Sequence, residues 1–241
     1  TPRRTVTMDA WFSNVIAGGT VLENQRAGTV DLPIPIGAQP ADGFDAQIIL
    51  LDPETGDEWG ASNLSENADG TFEAFNTYHY NTAWSAVPPF DDEDRPFWAR
   101  GAGIPYLAGL MRPCEIEQGF IEHAIAFAYD SPRDVFVSPA AKSDGASSSV
   151  DALPEGARLQ LDPNITELEI RSWECTGPCF IVARALQEYG MIVVDNSGRS
   201  KLYFEFEGTA NWNGVVDEDT VSPIPVDQLL VLDFEEPTPD G

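Results

Sequence analysis

Only His79, His123, Lys142 and Lys201 bring an imidazole or a side-chain amine to this chain of 241 residues. An imidazole inside a strand-like run and a lysine just before a Ser-Asp-Gly turn suit a base and a carboxylate-binding cation. With Tyr78 or Tyr80 as proton donor, His123 and Lys142 would serve a β-eliminating polysaccharide lyase. Glycosidic cleavage asks instead for one carboxylic acid and one base or nucleophile about 5 to 10 Å apart across the sugar. Asp45, Asp52 and Asp144 are the candidates, with Glu58 beside them, and His123 completes the catalytic set. The competing reading is structural. Asp52 before Pro-Glu-Thr-Gly and Asp144 before Gly suit turns, in which the carboxylate bonds nearby backbone. His123 equally suits a satisfied core histidine, and Lys142 a partner for one of many acids.

Sugars also pack their C–H faces on aromatic rings while nearby polar groups take their hydroxyls. Tyr78, His79, Tyr80 and Trp84 form such a cluster, with Trp59 and Trp98 elsewhere, and Lys142 is grouped with them as a substrate contact. Each aromatic would serve as well to fill space between two sheets. Both histidines with a carboxylate would suit a metal, although nothing in the spacing brings them together. A serine hydrolase is not supported, since no G-x-S-x-G elbow occurs.

Forty acidic residues against thirteen basic ones give a net charge of −27. Such a field repels nucleic acid and anionic membranes, so neither is expected as a partner. The acids are spread along the chain, and Asp91-Asp92-Glu93-Asp94 and Asp217-Glu218-Asp219 fit no EF-hand loop. No cofactor is required, and structural calcium stays open. No apolar run is long enough for a membrane span. Cys175 and Cys179 in ECTGPC can close a tight local bridge, which leaves Cys114 free and fits an exported protein whose signal has been removed.

The elements that must position these groups are mostly strands. Thr5–Ile16, Gly28–Ile36, Gln47–Asp52 with a return from Asp57, Thr71–Trp84, Ile121–Tyr129, Met191–Asp195, Leu202–Glu207 and Gln228–Phe234 read as strands. In the Gln47–Asp52 hairpin Asp45 and Gln47 share one face. In the 121–129 run His123 shares a face with Ile125, Phe127 and Tyr129, and Ala124, Ala126 and Ala128 form the other. Ile104–Glu117 reads as a short helical piece stopped by Gly119, and Phe180–Tyr189 as the best helix, opened near Pro178 and ended at Gly190. Residues 87–100 read as a surface loop, and 235–241 as a disordered tail. The expectation is one mainly β domain over 1–234, an antiparallel β-sandwich of jelly-roll type with two or three short helices.

The strings GAGIPYLAGLMRPCEIEQGFIEHAIAF, AAKSDG, LPEGARLQLDP and IVARALQEYGMIVVD, with the upstream hairpin LLDPETGDEW, resemble a family of exported bacterial proteins common in actinobacteria. The resemblance runs over roughly residues 30 to 234 and implies export and a single domain. It implies no activity. Cys114 and the CTGPC segment depart from the family pattern. Three functions therefore fit the sequence: a secreted glycoside hydrolase or lyase acting on a polysaccharide, a non-catalytic carbohydrate-binding module, and a structural surface protein, each expected as a monomer.

Overall fold

The computed structural model describes residues 3–17, 20–83 and 99–235, the side chains of 10–17 and 20–26 excepted. Trp84, Trp98, the acidic run 91–94 and the tail beyond Glu235 fall outside these. As expected, the chain is mainly β. Strands β1 (Arg4–Ala17) and β2 (Thr20–Leu32) pair antiparallel from Arg4↔Leu32 to Ala17↔Thr20. The second strand stops at Leu32, short of the expected Ile36, because Pro33 and Pro35 have no N–H to give a ladder. Strands β3 (Ile48–Asp52) and β4 (Asp57–Ser62) form the expected hairpin. Asp52 closes its turn by accepting the Glu54 amide at 3.0 Å.

After β5 (Ser65–Glu66), β6 (Phe72–Ala74) joins β1 in parallel, and β7 (Asn76–Asn81) pairs antiparallel with β4. Side chains from these two sheets, including Val6, Leu32, Ile48, Leu50 and Phe72, form one apolar core with Leu64 of the β4–β5 link.

The second half holds helix α1 (Pro113–Gln118), strands β8 (Ile125–Tyr129), β9 (Arg133–Phe136), β10 (Pro154–Glu155) and β11 (Arg158–Leu161), and helices α2 (Glu167–Ser172) and α3 (Pro178–Glu188). Strands β12 (Met191–Asn196), β13 (Lys201–Leu202) and β14 (Leu229–Val231) follow. A five-stranded sheet runs in the order β13, β8, β12, β11, β14, with β8 and β12 parallel. Val182, Ala183 and Leu186 of α3 bury against Ile125, Leu159, Leu161, Met191 and Val193 of that sheet. Each such side chain fully buried contributes roughly 1.5–3 kcal/mol of transfer free energy for the larger residues. A long crossover carrying α2 and α3 is what lets β8 and β12 lie parallel.

Three expectations need correction. The parallel pairs β1/β6, β8/β12 and β9/β10 replace a purely antiparallel arrangement, and the pairing, in several open sheets, does not establish a jelly roll. The helix expected from Ile104 begins only at Pro113, since Pro105 and Gly109, at φ 75°, break the earlier turns. Gly119 ends it in the left-handed region at φ 89°, as read from the sequence. Finally, β8 starts at Ile125, so His123 lies outside the strand.

The segment 99–112 ties the two halves together. Ala102 donates to Val194 O at 3.0 Å, Gly109 O accepts the Ala126 amide at 2.9 Å, and Met111 bridges Phe204 in parallel. On its other side Ala99 and Tyr106 pack with Tyr78.

Candidate functional site

The sequence candidates disperse. Asp52 sits in the β3–β4 turn, while His123 lies between α1 and β8 with Nε2 at 2.9 Å from Glu115 Oε1 and Nδ1 at 3.0 Å from Ala124 O. One belongs to the sheet of β3, β4 and β7 and the other precedes a strand of the five-stranded sheet, so the hairpin and the imidazole do not build one groove. Asp45 is exposed, and its carbonyl accepts the Asn63 amide.

The aromatic cluster is divided too. Tyr78 is buried, with its hydroxyl on Glu58, and half-buried Tyr80 packs near it. Trp59 stacks on His79 with centroids 5.2 Å apart, and the Arg3 guanidinium lies 5.3 Å from the Trp59 ring centroid. His79 Nε2 lies 3.0 Å from Asp57, whose pKa is lowered by hydrogen bonds from Asn81 and then His79. A ring engaged by a histidine and an arginine offers little platform for a sugar.

Lys142 and Asp144 lead to the densest chemistry in the molecule. Lys142 is buried, 3% exposed, and its ammonium donates to the carbonyls of Arg100 and of Gly101, the latter at 2.7 Å. Burial lowers its pKa, against the pull of Asp144, Glu155 and Asp195. It is therefore turned inward rather than toward a substrate.

Asp144, Glu155 and Asp195, from the loop after β9, from β10 and from β12, each bring a carboxylate oxygen within 4.8 Å of the others. Glu155 is 0% exposed. Its Oε2 accepts the Asp144 amide at 3.3 Å, but its Oε1 and Asp144 Oδ1 are buried with no donor among the described residues. Asp195 accepts from the Gly101 amide at 2.9 Å and the Tyr203 hydroxyl at 3.3 Å. Burial, then the Asp144 charge, pushes Asp195 up to about 6, and the same two causes raise Glu155.

Arg100 and Tyr203 link this cluster to a cleft of about 620 Å³, which β3, the 106–112 segment and residues 203–209 enclose. Arg100 is 8% exposed and holds a left-handed conformation at φ 42°, strained for a non-glycine residue. Its Nη1 donates to Ala108 O at 3.0 Å and its Nη2 to Tyr106 O at 2.6 Å. Its Nε is buried without an acceptor among the described residues. The guanidinium lies 4.9 Å from the centroid of the Tyr203 ring. Arg112 lines the same cleft, with Nη2 at 3.3 Å from Glu115 and a buried Nε likewise lacking an acceptor. Around the two arginines stand Tyr106, Tyr203, Phe204 and Phe206.

The arrangement can hold a ligand with an anionic group and an apolar or ring-shaped body. It also stores charge, in a carboxylate group directly behind the cleft wall. Arg100, Arg112, Tyr106, Tyr203, Glu155 and Asp195 do not stand out in the sequence. No family model, no curated protein and no solved structure matches this chain.

Proposed function

We propose that this is an exported ligand-binding protein whose cleft takes a short acidic carbohydrate, a sugar bearing a carboxylate. The observation that carries this reading is that two arginines, Arg100 and Arg112, line one cleft together with aromatic side chains. A carboxylate in the cleft would pair with a guanidinium, and a hydrogen bond to a charged group contributes about 1.5–3 kcal/mol. The half-buried rings of Phe204 and Phe206 supply faces on which a sugar packs. The Cys175–Cys179 disulfide, S–S 1.99 Å, supports an oxidising, extracellular location.

A net charge of −27 opposes long polyanions. At physiological ionic strength the Debye length is about 8 Å, so a short ligand inside the cleft meets chiefly the two arginines. This favours a mono- or oligouronide over a polymer.

Isothermal titration with trigalacturonate and with neutral maltotriose tests it. We expect the acidic trisaccharide alone to bind, and Arg112→Ala to weaken it tenfold or more, the value of about 1.5–3 kcal/mol for a hydrogen bond to a charged group. Equal binding of both sugars, or none, would remove the reading.

Cleavage of the glycosidic bond is the second reading, favoured by a group of neighbouring carboxylates, one of them raised to about 6. Against it, these acids stand behind Arg100 and Tyr203 rather than in the cleft lining. Release of new reducing ends, abolished in Asp195→Asn, would favour cleavage over binding.

A further inference from the structure

The three converging carboxylates have no role in the binding of such a sugar. Glu155, wholly buried, aims Oε1 at a place where no donor among the described residues reaches it, and Asp144 Oδ1 is buried and unmet in the same way. Both oxygens lie over the bare α-carbon of Gly101, where an added Cβ would fall 2.2 Å from the first and 2.5 Å from the second. Two buried acceptors therefore lie together beside one α-carbon without a hydrogen-bond donor among the described residues, a costly arrangement unless a cation meets them.

We infer that Asp144, Glu155 and Asp195 form a binding site for one calcium ion. All the donor atoms are carboxylate oxygens, which excludes the softer transition metals as preferred occupants. The three oxygens lie within 4.8 Å of one another, close enough to share one ion. Calcium accepts a flexible, irregular set of oxygen ligands, whereas magnesium demands near-ideal octahedral geometry and gives up its waters reluctantly.

Charge gives the same answer. Three converging carboxylates stand beside one buried ammonium, Lys142, so a divalent ion bound by their ionised forms would balance the charge. The Lys142 ammonium is anchored on the carbonyls of Arg100 and Gly101. The ligands come from the 142–145 loop, β10 and β12, so the ion would fasten three segments that are distant in sequence.

The test is calcium titration of chelator-treated protein by calorimetry, with thermal melts in calcium, in magnesium and without either. We expect one calcium per chain and a rise in melting temperature that is larger in calcium than in magnesium. Both should be lost in Asp144→Asn and kept in Asp217→Asn, an exposed acid elsewhere. Wild-type protein that shows neither heat nor a melting shift in calcium would overturn the proposal, and needs no variant to be folded. Binding that survives unchanged in both Asp144→Asn and Glu155→Gln would overturn it too, by placing the ion on the acidic surface.

Discussion

The Tyr78 hydroxyl donates to Glu58 Oε1 at 2.5 Å, joining adjacent strands, and accepts the amide of Tyr106 at 2.8 Å. Leu107 N reaches the same carboxylate oxygen at 3.1 Å. One buried acid therefore fixes the 99–112 segment, which walls the cleft, to the sheet of β3, β4 and β7. Gly60 makes it possible, because a Cβ there would fall 2.0 Å from the Tyr78 ring.

Tyr78→Phe removes that donor and leaves Glu58 short of a partner. We expect a loss of about 1–3 kcal/mol in stability by urea denaturation. Burial already raises the Glu58 pKa. Without the phenol it should rise further, making the loss larger at pH 8 than at pH 5. A variant as stable as wild type at both pH values would show that the bond does not hold the segment.

Gly101→Ala would drive a methyl group against Glu155 and Asp144, at 2.2 and 2.5 Å before relaxation. Overpacking of this kind costs about 1–3 kcal/mol. Gly198→Ala is the control, since nothing lies within 4 Å of its added Cβ. We expect the urea midpoint to fall for the first and to move little for the second.

The pH dependence has a definite sign. In the folded chain Asp195 binds its proton up to about 6, against 3.8 for its ordinary value. Its contribution is present below pH 4 and lost as the pH rises through about 6, and Glu155 shifts in the same direction. Asp57, held low by Asn81 and His79, acts oppositely, but its loss comes only at more acid pH. In calcium-free buffer the stability of wild type should therefore fall between pH 4 and pH 7. Asp195→Asn should flatten that fall, as followed by thermal melts, whereas parallel curves for the two proteins would assign it to the surface charge instead.

What the sequence discloses is what is local. The Asp52-Pro-Glu-Thr-Gly turn and helix α3 between Pro178 and Gly190 carry their signals within a few residues, and both stand where those signals put them. Helix α2 has an equally local mark, a capping box in which Thr166 and Glu169 exchange hydrogen bonds, written as Thr-x-x-Glu and overlooked by a reading that follows apolar periodicity alone. The disulfide likewise follows from the spacing of Cys175 and Cys179.

The candidate site is different in kind. Lys142 meets carbonyls 42 and 41 residues away, and Asp195 meets an amide 94 residues away. No spacing along the chain encodes such meetings. Glu155, in Pro-Glu-Gly, reads as a surface turn, and only the packing of β10 on β9 buries it. Asp144 is the one candidate acid that the fold returns to a cluster. The parallel pairing of β8 with β12 has the same origin, since it depends on what crosses between them.

Arg100 and Gly101 are consecutive, and both of their carbonyls receive the Lys142 ammonium. The first residue borders the cleft and the second underlies the carboxylates. An occupant on either side thus acts on one shared peptide unit, and linkage then demands reciprocity: whatever factor a cation imposes on the sugar's affinity, the sugar must impose on the cation's.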